Sequence, residues 1–87
     1  MRLDKFLKVA RVFKKRTASK QMALEKRIEV NGKISKPSTT IKVGDILTIY
    51  FGNKSLSIRV LNLAKQVSKK DAVLLYEIIE EKLLEHE

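Results

Sequence analysis

The 87-residue sequence contains no cysteine, no tryptophan and a single histidine. The lack of cysteine excludes disulfides, a thiol nucleophile and thiolate metal ligands. His86 lies between two glutamates near the end of the chain, where a solvated side chain is a better interpretation than a catalytic base or metal ligand. Neither a phosphate-binding glycine loop nor a metal-ligand spacing is present. We therefore expect a protein that is not an enzyme and needs no metal or cofactor.

Long apolar runs are also missing. No stretch reaches the roughly 18 apolar residues that a membrane-spanning helix requires. Lys5, Lys8 and Arg11 interrupt the apolar start of the chain, so we expect no secretory signal. Aromatic residues are few, and Phe6 and Phe13 fall on the apolar side of a predicted helix, which disfavours recognition of single strands by base stacking. These features favour a cytoplasmic protein without a membrane partner.

Positive charge is abundant but confined to one part of the chain. Residues 1–36 carry twelve lysines and arginines against three acidic residues, which equals the net charge of +9 of the whole sequence. Residues 37–87 carry seven residues of each sign. Because like charges repel in the compact state, such a surplus is not needed for folding and predicts a surface for a polyanion, most commonly nucleic acid.

The spacing of apolar residues predicts two N-terminal helices. Leu3, Phe6, Leu7 and Ala10 recur with helical spacing, which indicates a helix over 3–13 with a basic opposite face. The segment Lys14-Lys15-Arg16 follows as a polar break. Thr17 is a plausible N-cap for a second helix over 18–27.

The remainder of the chain predicts a small sheet and a terminal helix. Asn31-Gly32 suits a two-residue hairpin and Gly44-Asp45 suits a second turn, while Ile46–Phe51 has the composition of a central strand and is followed by another strand around 56–60. Ser68 resembles the start of a capping box and predicts a helix over 69–84. That helix either covers the sheet or docks a protein partner. We thus expect an α/β (α+β) fold in one domain over 1–87.

The basic residues gather around the predicted helices and hairpin. Free N–H groups at a helix start attract phosphate, and hydroxyls beside Arg16 and Lys20 would add donors. Contacts of this kind position a protein on RNA without reading its sequence. Structured RNA that is recognised by its shape and backbone is therefore the best fit. Arg11 and Arg16 are the strongest candidates, because a guanidinium can hold phosphate with two hydrogen bonds.

Five short motifs of this chain resemble those of the S-four RNA-binding domain, also called the alpha-L motif, in the same order and spacing. They are Arg2-Leu3-Asp4-Lys5-Phe6-Leu7, Lys15-Arg16-Thr17-Ala18-Ser19, Ile28-Glu29-Val30-Asn31-Gly32-Lys33, Lys36-Pro37-Ser38 and Val43-Gly44-Asp45. The resemblance covers residues 1–50 and implies two helices packed on a small antiparallel or mixed sheet. It would make 1–50 the RNA-binding core, 51–67 additional strands and 68–87 a C-terminal helix and tail.

In this family the helices and the hairpin form the RNA-binding surface. Carried over to this sequence, the resemblance points to Arg2, Lys5, Arg11, Lys15, Arg16, Lys20 and Lys33, with Asp4 as a structural partner of a nearby base. The basic helix face and turn add Lys8, Lys14 and Thr17. These ten residues, from Arg2 to Lys33, are the predicted RNA-binding set.

The chain most resembles the short members of the family that stand alone. These factors act in ribosome-associated quality control and are related to the Hsp-fifteen heat-shock type. The resemblance implies binding to large-subunit ribosomal RNA and peptidyl-site tRNA on stalled 50S subunits. It also implies assistance, as a monomer, to a factor that recruits alanyl-tRNA and adds a C-terminal alanine tail. Ribosome assembly or a heat-shock role remains an alternative. A DNA-binding module is less favoured, because the second helix offers few residues for base readout.

Overall fold

The computed structural model describes residues 1–83, which form three helices and five strands. In chain order the elements are α1 Leu3–Val9, α2 Arg16–Leu24, β1 Ile28–Val30, β2 Lys33–Ile34, β3 Ile46–Phe51, β4 Lys54–Val60, α3 Lys69–Ala72 and β5 Tyr76–Leu83. The strands form one antiparallel sheet in the order β2-β1-β3-β4-β5. The sequence-based expectation of an α+β fold with β3 as the central strand is confirmed.

The hydrophobic core lies between the two N-terminal helices and the sheet. Alternate residues of β3 are buried, as expected for a strand with one face on the core. The fully buried apolar side chains are Leu3, Phe6, Leu7, Ile28, Leu47, Ile49, Ile58 and Val60, each with no measurable exposure. Of the two lysines of α1, Lys8 is exposed and Lys5 is half-buried.

The predicted hairpin turn between β1 and β2 is confirmed. Asn31 has a φ of +53° and Gly32 a φ of +83°, so that both residues occupy the left-handed region that a type I′ turn requires. The Asn31 side chain also accepts a hydrogen bond from the Ile46 N–H at 2.9 Å. This contact joins the hairpin to the start of β3.

Helix α1 is shorter than predicted, and the expectation of a helix to residue 13 is wrong. The helix ends at Val9, and Arg11 adopts a φ of +61°. The Val12 N–H then donates back to the Leu7 carbonyl oxygen at 3.0 Å. This is a Schellman motif, which ends a helix by satisfying its last carbonyl groups. In the sequence the helical spacing of apolar residues continues to Phe13, so it does not show that the chain leaves the helix at Arg11.

Helix α2 begins two residues earlier than predicted, and Thr17 is not its N-cap. The N-cap is Lys15, whose backbone is extended and whose side chain makes no capping hydrogen bond. Thr17 consequently lies inside the first turn. The helix ends at Leu24 rather than at residue 27, because Lys26 reverses the chain with a φ of +61°.

The C-terminal segment contains the largest departure from expectation. Ser68 does cap a helix, since its hydroxyl accepts a hydrogen bond from the Asp71 N–H at 3.3 Å, but α3 is only four residues long. A helix over 69–84 is therefore wrong. Residues 76–83 form β5, which pairs along the length of β4 with an irregularity opposite Ser57 and Ile58. The last part of the predicted helix and tail, residues 84–87, lies outside the described residues.

Candidate RNA interface

The start of α1 is fixed against the loop that precedes β3. The Leu3 N–H donates to the Thr39 carbonyl oxygen at 2.8 Å, and the Asp4 N–H donates to the Pro37 carbonyl oxygen at 3.1 Å. These N–H groups have no acceptor within the helix itself. The contacts hold Arg2 at the N-cap position, where its side chain is half exposed.

One buried carboxylate joins two arginines from different helices. The side chain of Asp4 is 2% exposed. Its Oδ1 atom accepts hydrogen bonds from Arg2 Nε at 3.2 Å and from Arg16 Nη2 at 3.3 Å, and its Oδ2 atom accepts from Arg2 Nη2 at 3.3 Å. The expectation that Asp4 is a structural partner for a nearby base is confirmed. We call these three residues the Asp4 cluster.

The charge of the Asp4 cluster is set by the balance between burial and the arginines. Burial raises the pKa of the Asp4 carboxyl, whereas the hydrogen bonds and positive charges of Arg2 and Arg16 lower it. The net pKa lies below the ordinary value of 3.8. The carboxyl is therefore ionised at neutral pH, and the cluster keeps one net positive charge with both guanidinium groups directed by Asp4.

A buried serine locks the two helices together behind the Asp4 cluster. The Ser19 hydroxyl lies 2.8 Å from the carbonyl oxygens of both Asp4 and Arg16 and can donate its hydrogen to either. Ser19 has no measurable exposure. The position of Arg16 relative to Arg2 is thus fixed by the packing of α2 on α1.

A cleft of about 340 Å³ opens beside the Asp4 cluster. Its lining residues are Arg2, Asp4, Arg16, Thr17 and Lys20. Arg16 and Lys20 are four residues apart and so lie on the same face of α2. Three cations and a hydroxyl meet here around a single acid. Groups of this kind bind phosphate, because arginine offers paired donors in a fixed plane while lysine adds a mobile charge.

The structure places seven of the ten residues of the predicted RNA-binding set in two separate cavities. Arg2, Arg16, Thr17 and Lys20 meet in the first cleft. Lys8, Arg11 and Lys14 instead line a separate and larger cavity of about 720 Å³ at the end of α1.

The other three members of the predicted RNA-binding set line neither cavity. Lys5 is half-buried on α1, Lys15 is the exposed N-cap of α2, and Lys33 lies on the short edge strand β2. Their role in RNA binding stays a prediction.

Sequence reasoning missed two lysines that the fold brings to the basic surface. Lys65 and Lys69 line the larger cavity beside Arg11. They were overlooked because residues 37–87 are neutral as a whole. Within this half, however, 61–70 carries three lysines and no acid, while most of the acidic residues follow from residue 77 onward. The local charge, rather than the sum, was the available signal.

The described residues contain neither a candidate metal site nor a candidate membrane-spanning helix. Within residues 1–83, no group of three potential metal-ligating side chains is present. No helix in the same range is long and apolar enough to cross a bilayer. His86 lies outside the described residues, so its interpretation as a solvated residue stays a prediction.

Sequence comparison relates the N-terminal part of the chain to one domain family. The S4 domain family matches residues 1–47, which include both helices that carry the Asp4 cluster. A Streptococcus pneumoniae protein described as an RQC P-site tRNA stabilizing factor is 49% identical over 85 residues, covering 98% of this chain and 97% of that protein. A Bacillus subtilis protein of the same description is 44% identical over 84 residues, covering 97% and 98% respectively.

A solved structure shares the fold. The structure of heat shock protein 15 from Vibrio cholerae superimposes with a TM-score of 0.82 at 29% identity, covering 90% of this chain and 80% of that chain. A heat shock protein 15 homolog from Aeromonas salmonicida is 33% identical over 84 residues, which is 95% of this chain but 64% of that protein. The similarity to both groups therefore extends well beyond the S4 domain match, through β4 and β5.

Proposed function

Since this chain belongs to the S4 domain family and, within it, to the RQC P-site tRNA stabilizing factors, we propose that it binds RNA and stabilises tRNA in the ribosomal P site. It does so as a binding protein without catalytic activity. Its place of action is the cytoplasm, where the ribosome works.

The observation that carries this proposal is the Asp4 cluster. The Asp4 carboxylate accepts hydrogen bonds from Nε and Nη2 of Arg2 but only from Nη2 of Arg16. Other N–H donors on both guanidinium groups therefore remain available for a ligand. Both side chains are nearly half exposed. Because the carboxylate fixes their direction, less conformational entropy is lost when they bind phosphate. Oriented arginines of this kind are better suited to binding the phosphates of an RNA backbone than to catalysing a reaction.

The finer proposal concerns the ribosomal partner. We infer that the protein acts on 50S subunits, contacts large-subunit ribosomal RNA as well as peptidyl-site tRNA, and assists a factor that recruits alanyl-tRNA for alanine tailing. Support comes from the resemblance to stand-alone quality-control factors and from a basic surface that spans two cavities. A basic surface of this extent is suited to contacting more than one RNA segment.

Sucrose-gradient fractionation of tagged protein from cells with induced translational stalling tests this function. We expect the wild-type protein in the 50S fraction together with peptidyl-tRNA, and we expect Arg16→Ala to shift toward the top of the gradient. Arg59→Ala is the matched control, because Arg59 has the same 46% side-chain exposure and also makes one salt bridge, to Glu77 on the sheet. The control should sediment as the wild type does.

The same gradient separates the proposal from its alternative. The likeness to heat shock protein 15 favours a role on other large-subunit states as the second candidate. Protein found on vacant or immature large subunits without peptidyl-tRNA would support that role or ribosome assembly. Absence from all ribosomal fractions would contradict both.

A further inference from the structure

The larger cavity lies between the end of α1 and the segment that leads into α3. Four of its lining residues are uncharged, namely Val9, Phe13, Gln66 and Val67. The other five are basic: Lys8, Arg11, Lys14, Lys65 and Lys69. No acidic residue is part of this lining. We propose that this cavity is a second binding site for RNA phosphates, separate from the Asp4 cluster and completed by Lys65 and Lys69. This inference rests on the proposed function, in that RNA is the partner.

The site draws on a part of the chain that the family match does not reach. The S4 domain match ends at residue 47, whereas Lys65 and Lys69 follow β4. The fold brings them to the cavity beside Arg11 and Lys14, and α3, which begins with Lys69, is anchored by the buried side chain of Ala72. The second site is therefore a property of the whole chain.

The cations of this cavity lack the neutralisation that the Asp4 cluster has. Within residues 1–83, the salt bridges involve Arg2, Arg16, Arg27 and Arg59 and none of the five cavity cations. Their convergence raises the electrostatic free energy of the folded state. A bound anion lowers that free energy, and several phosphates in a row lower it most. An RNA backbone presents such a row, with one negative charge on every nucleotide.

Arg11 provides an independent indication that the side chains here have a task beyond folding. Its φ of +61° and its place after the helix end are those at which glycine is the usual residue. No fold requirement calls for an arginine there, since the Schellman hydrogen bonds use only backbone atoms. Lys26 has the same φ at the end of α2, so the indication at Arg11 comes from the conformation together with its place in the cavity lining.

The apolar part of the lining further favours RNA over a small anion. Val9, Phe13 and Val67 contribute apolar side chains to the lining, and the Phe13 ring packs against Phe51 with centroids 5.7 Å apart. A ribose–phosphate segment has apolar sugar edges as well as charges. A free phosphate would use the basic side chains alone.

Binding titrations with two probes test the second site. The probes are a fluorescently labelled tRNA and purified large ribosomal subunits, each titrated at several salt concentrations. In Lys65→Ser/Lys69→Ser we expect affinity for at least one probe to fall about fivefold to tenfold, and the salt slope to fall by about 1.5, as for two lost phosphate contacts. Lys54→Ser/Lys82→Ser is the control, because it removes two exposed lysines that line neither cavity.

A second variant separates a loss of RNA binding from a loss of folding. Arg11→Gly keeps the backbone conformation at the helix end, and we expect it to weaken binding while the melting temperature is unchanged or higher. The control pair should bind within about twofold of the wild type, because neither lysine lines a cavity and exposed charges that do not touch the RNA are screened at physiological salt.

The outcomes separate this inference from the proposed function. If Arg16→Ala loses affinity while Lys65→Ser/Lys69→Ser and Arg11→Gly bind both probes as the wild type does, the second site is refuted and the function stands. That result would leave an acidic protein segment as the better occupant. If Lys54→Ser/Lys82→Ser loses as much affinity as Lys65→Ser/Lys69→Ser, the loss comes from the lower net charge rather than from a specific site, and the second site is again refuted. If the wild type binds neither probe, the proposed function fails with it.

Discussion

The Oδ1 atom of Asp4 lies 3.3 Å from the Nη2 atom of Arg16, across the interface between α1 and α2. The same interface contains the Ser19 hydroxyl, 2.8 Å from the Asp4 carbonyl oxygen. The acid and the serine thus attach the first turn of α2 to the first turn of α1. The direction of the Arg16 guanidinium is a consequence of how the helices pack, so we expect changes to Asp4 to affect RNA binding even if Asp4 does not contact the RNA.

Replacing Asp4 by asparagine should weaken RNA binding although it raises the net charge of +9 by one. The amide cannot accept from both arginines as the carboxylate does, so Arg2 and Arg16 lose their orientation. We expect a stability loss of about 1–2 kcal/mol, because hydrogen bonds to charged groups are lost while the arginines remain half exposed. Urea unfolding and tRNA titration measure the two effects.

The control for this variant is Glu81→Gln, which makes the same charge change on exposed β5. It should bind RNA at least as tightly as the wild type. Tighter binding by Asp4→Asn would show that charge alone governs affinity and that orientation contributes nothing.

The pH dependence of stability should carry the signature of Asp4. Because its folded-state pKa lies below the ordinary 3.8, its contribution is fully present above that value and is lost as the pH falls below it, through the folded-state pKa. The difference in unfolding free energy between the wild type and Asp4→Asn should therefore be constant from pH 7 to 5 and shrink toward pH 3. Urea midpoints across this range measure it, and a difference that grows on acidification would contradict the ion-pair account.

Lys26 occupies a backbone conformation that favours glycine, with a φ of +61° at the end of α2. Lys26→Gly should leave stability unchanged or raise it by up to about 1 kcal/mol, since the left-handed conformation is free of steric cost for glycine. Lys26→Val should instead destabilise by more than about 1 kcal/mol, because a β-branched residue fits this conformation poorly.

Ala18→Gly, at an exposed helical position in the first turn of α2, is the comparison for Lys26→Gly and should lower the free energy of unfolding by up to about 1 kcal/mol. Equal losses for Lys26→Gly and Ala18→Gly in urea unfolding would mean that α2 continues through residue 26.

Ile58 and Ile78 are paired on β4 and β5 but differ in exposure, from 0% to 55%. Ile58→Ala should cost about 2–5 kcal/mol, since it leaves a cavity in the core. Ile78→Ala should cost less than about 1 kcal/mol, because more than half of its surface already contacts water. Thermal or urea unfolding of the two variants compares them directly. A large loss for Ile78→Ala would favour a C-terminal helix that buries its apolar stripe.

Local signals in the sequence predicted the sheet well. Asn31-Gly32 has only a few turn conformations open to it, and Ile46–Phe51 has the composition of a buried strand; both predictions agree with the structure. The place of Asp4 as a partner for a base also followed from its position in a recognisable motif. These features depend on neighbouring residues and so are readable without the fold.

The errors arose where long-range pairing or an unusual backbone conformation decides the outcome. Leu75, Ile78, Ile79 and Leu83 have helical spacing, but the irregularity where β5 passes Ser57 and Ile58 breaks the two-residue alternation that would have marked a strand. Pairing with β4 overrides the local preference. The early end of α1 was hidden because an arginine, rather than a glycine, adopts the left-handed conformation there.

The division of the basic residues into two cavities depends on tertiary structure as well. Lys65 and Lys69 are more than fifty residues from Arg11 and Lys14 in the sequence, and only the tertiary structure brings them together. A sum of charge over half the chain concealed them. The sequence thus predicted one basic surface, whereas the fold distributes most of its residues over two cavities.

The most direct test of the central claim is the dissociation rate of labelled tRNA from the P site of purified large subunits, measured with and without the protein. We expect the wild-type protein to slow dissociation, Arg59→Ala to slow it equally, and Arg16→Ala to lose most of the effect at equal concentration. A tRNA dissociation rate that is the same with and without the wild-type protein would contradict the account.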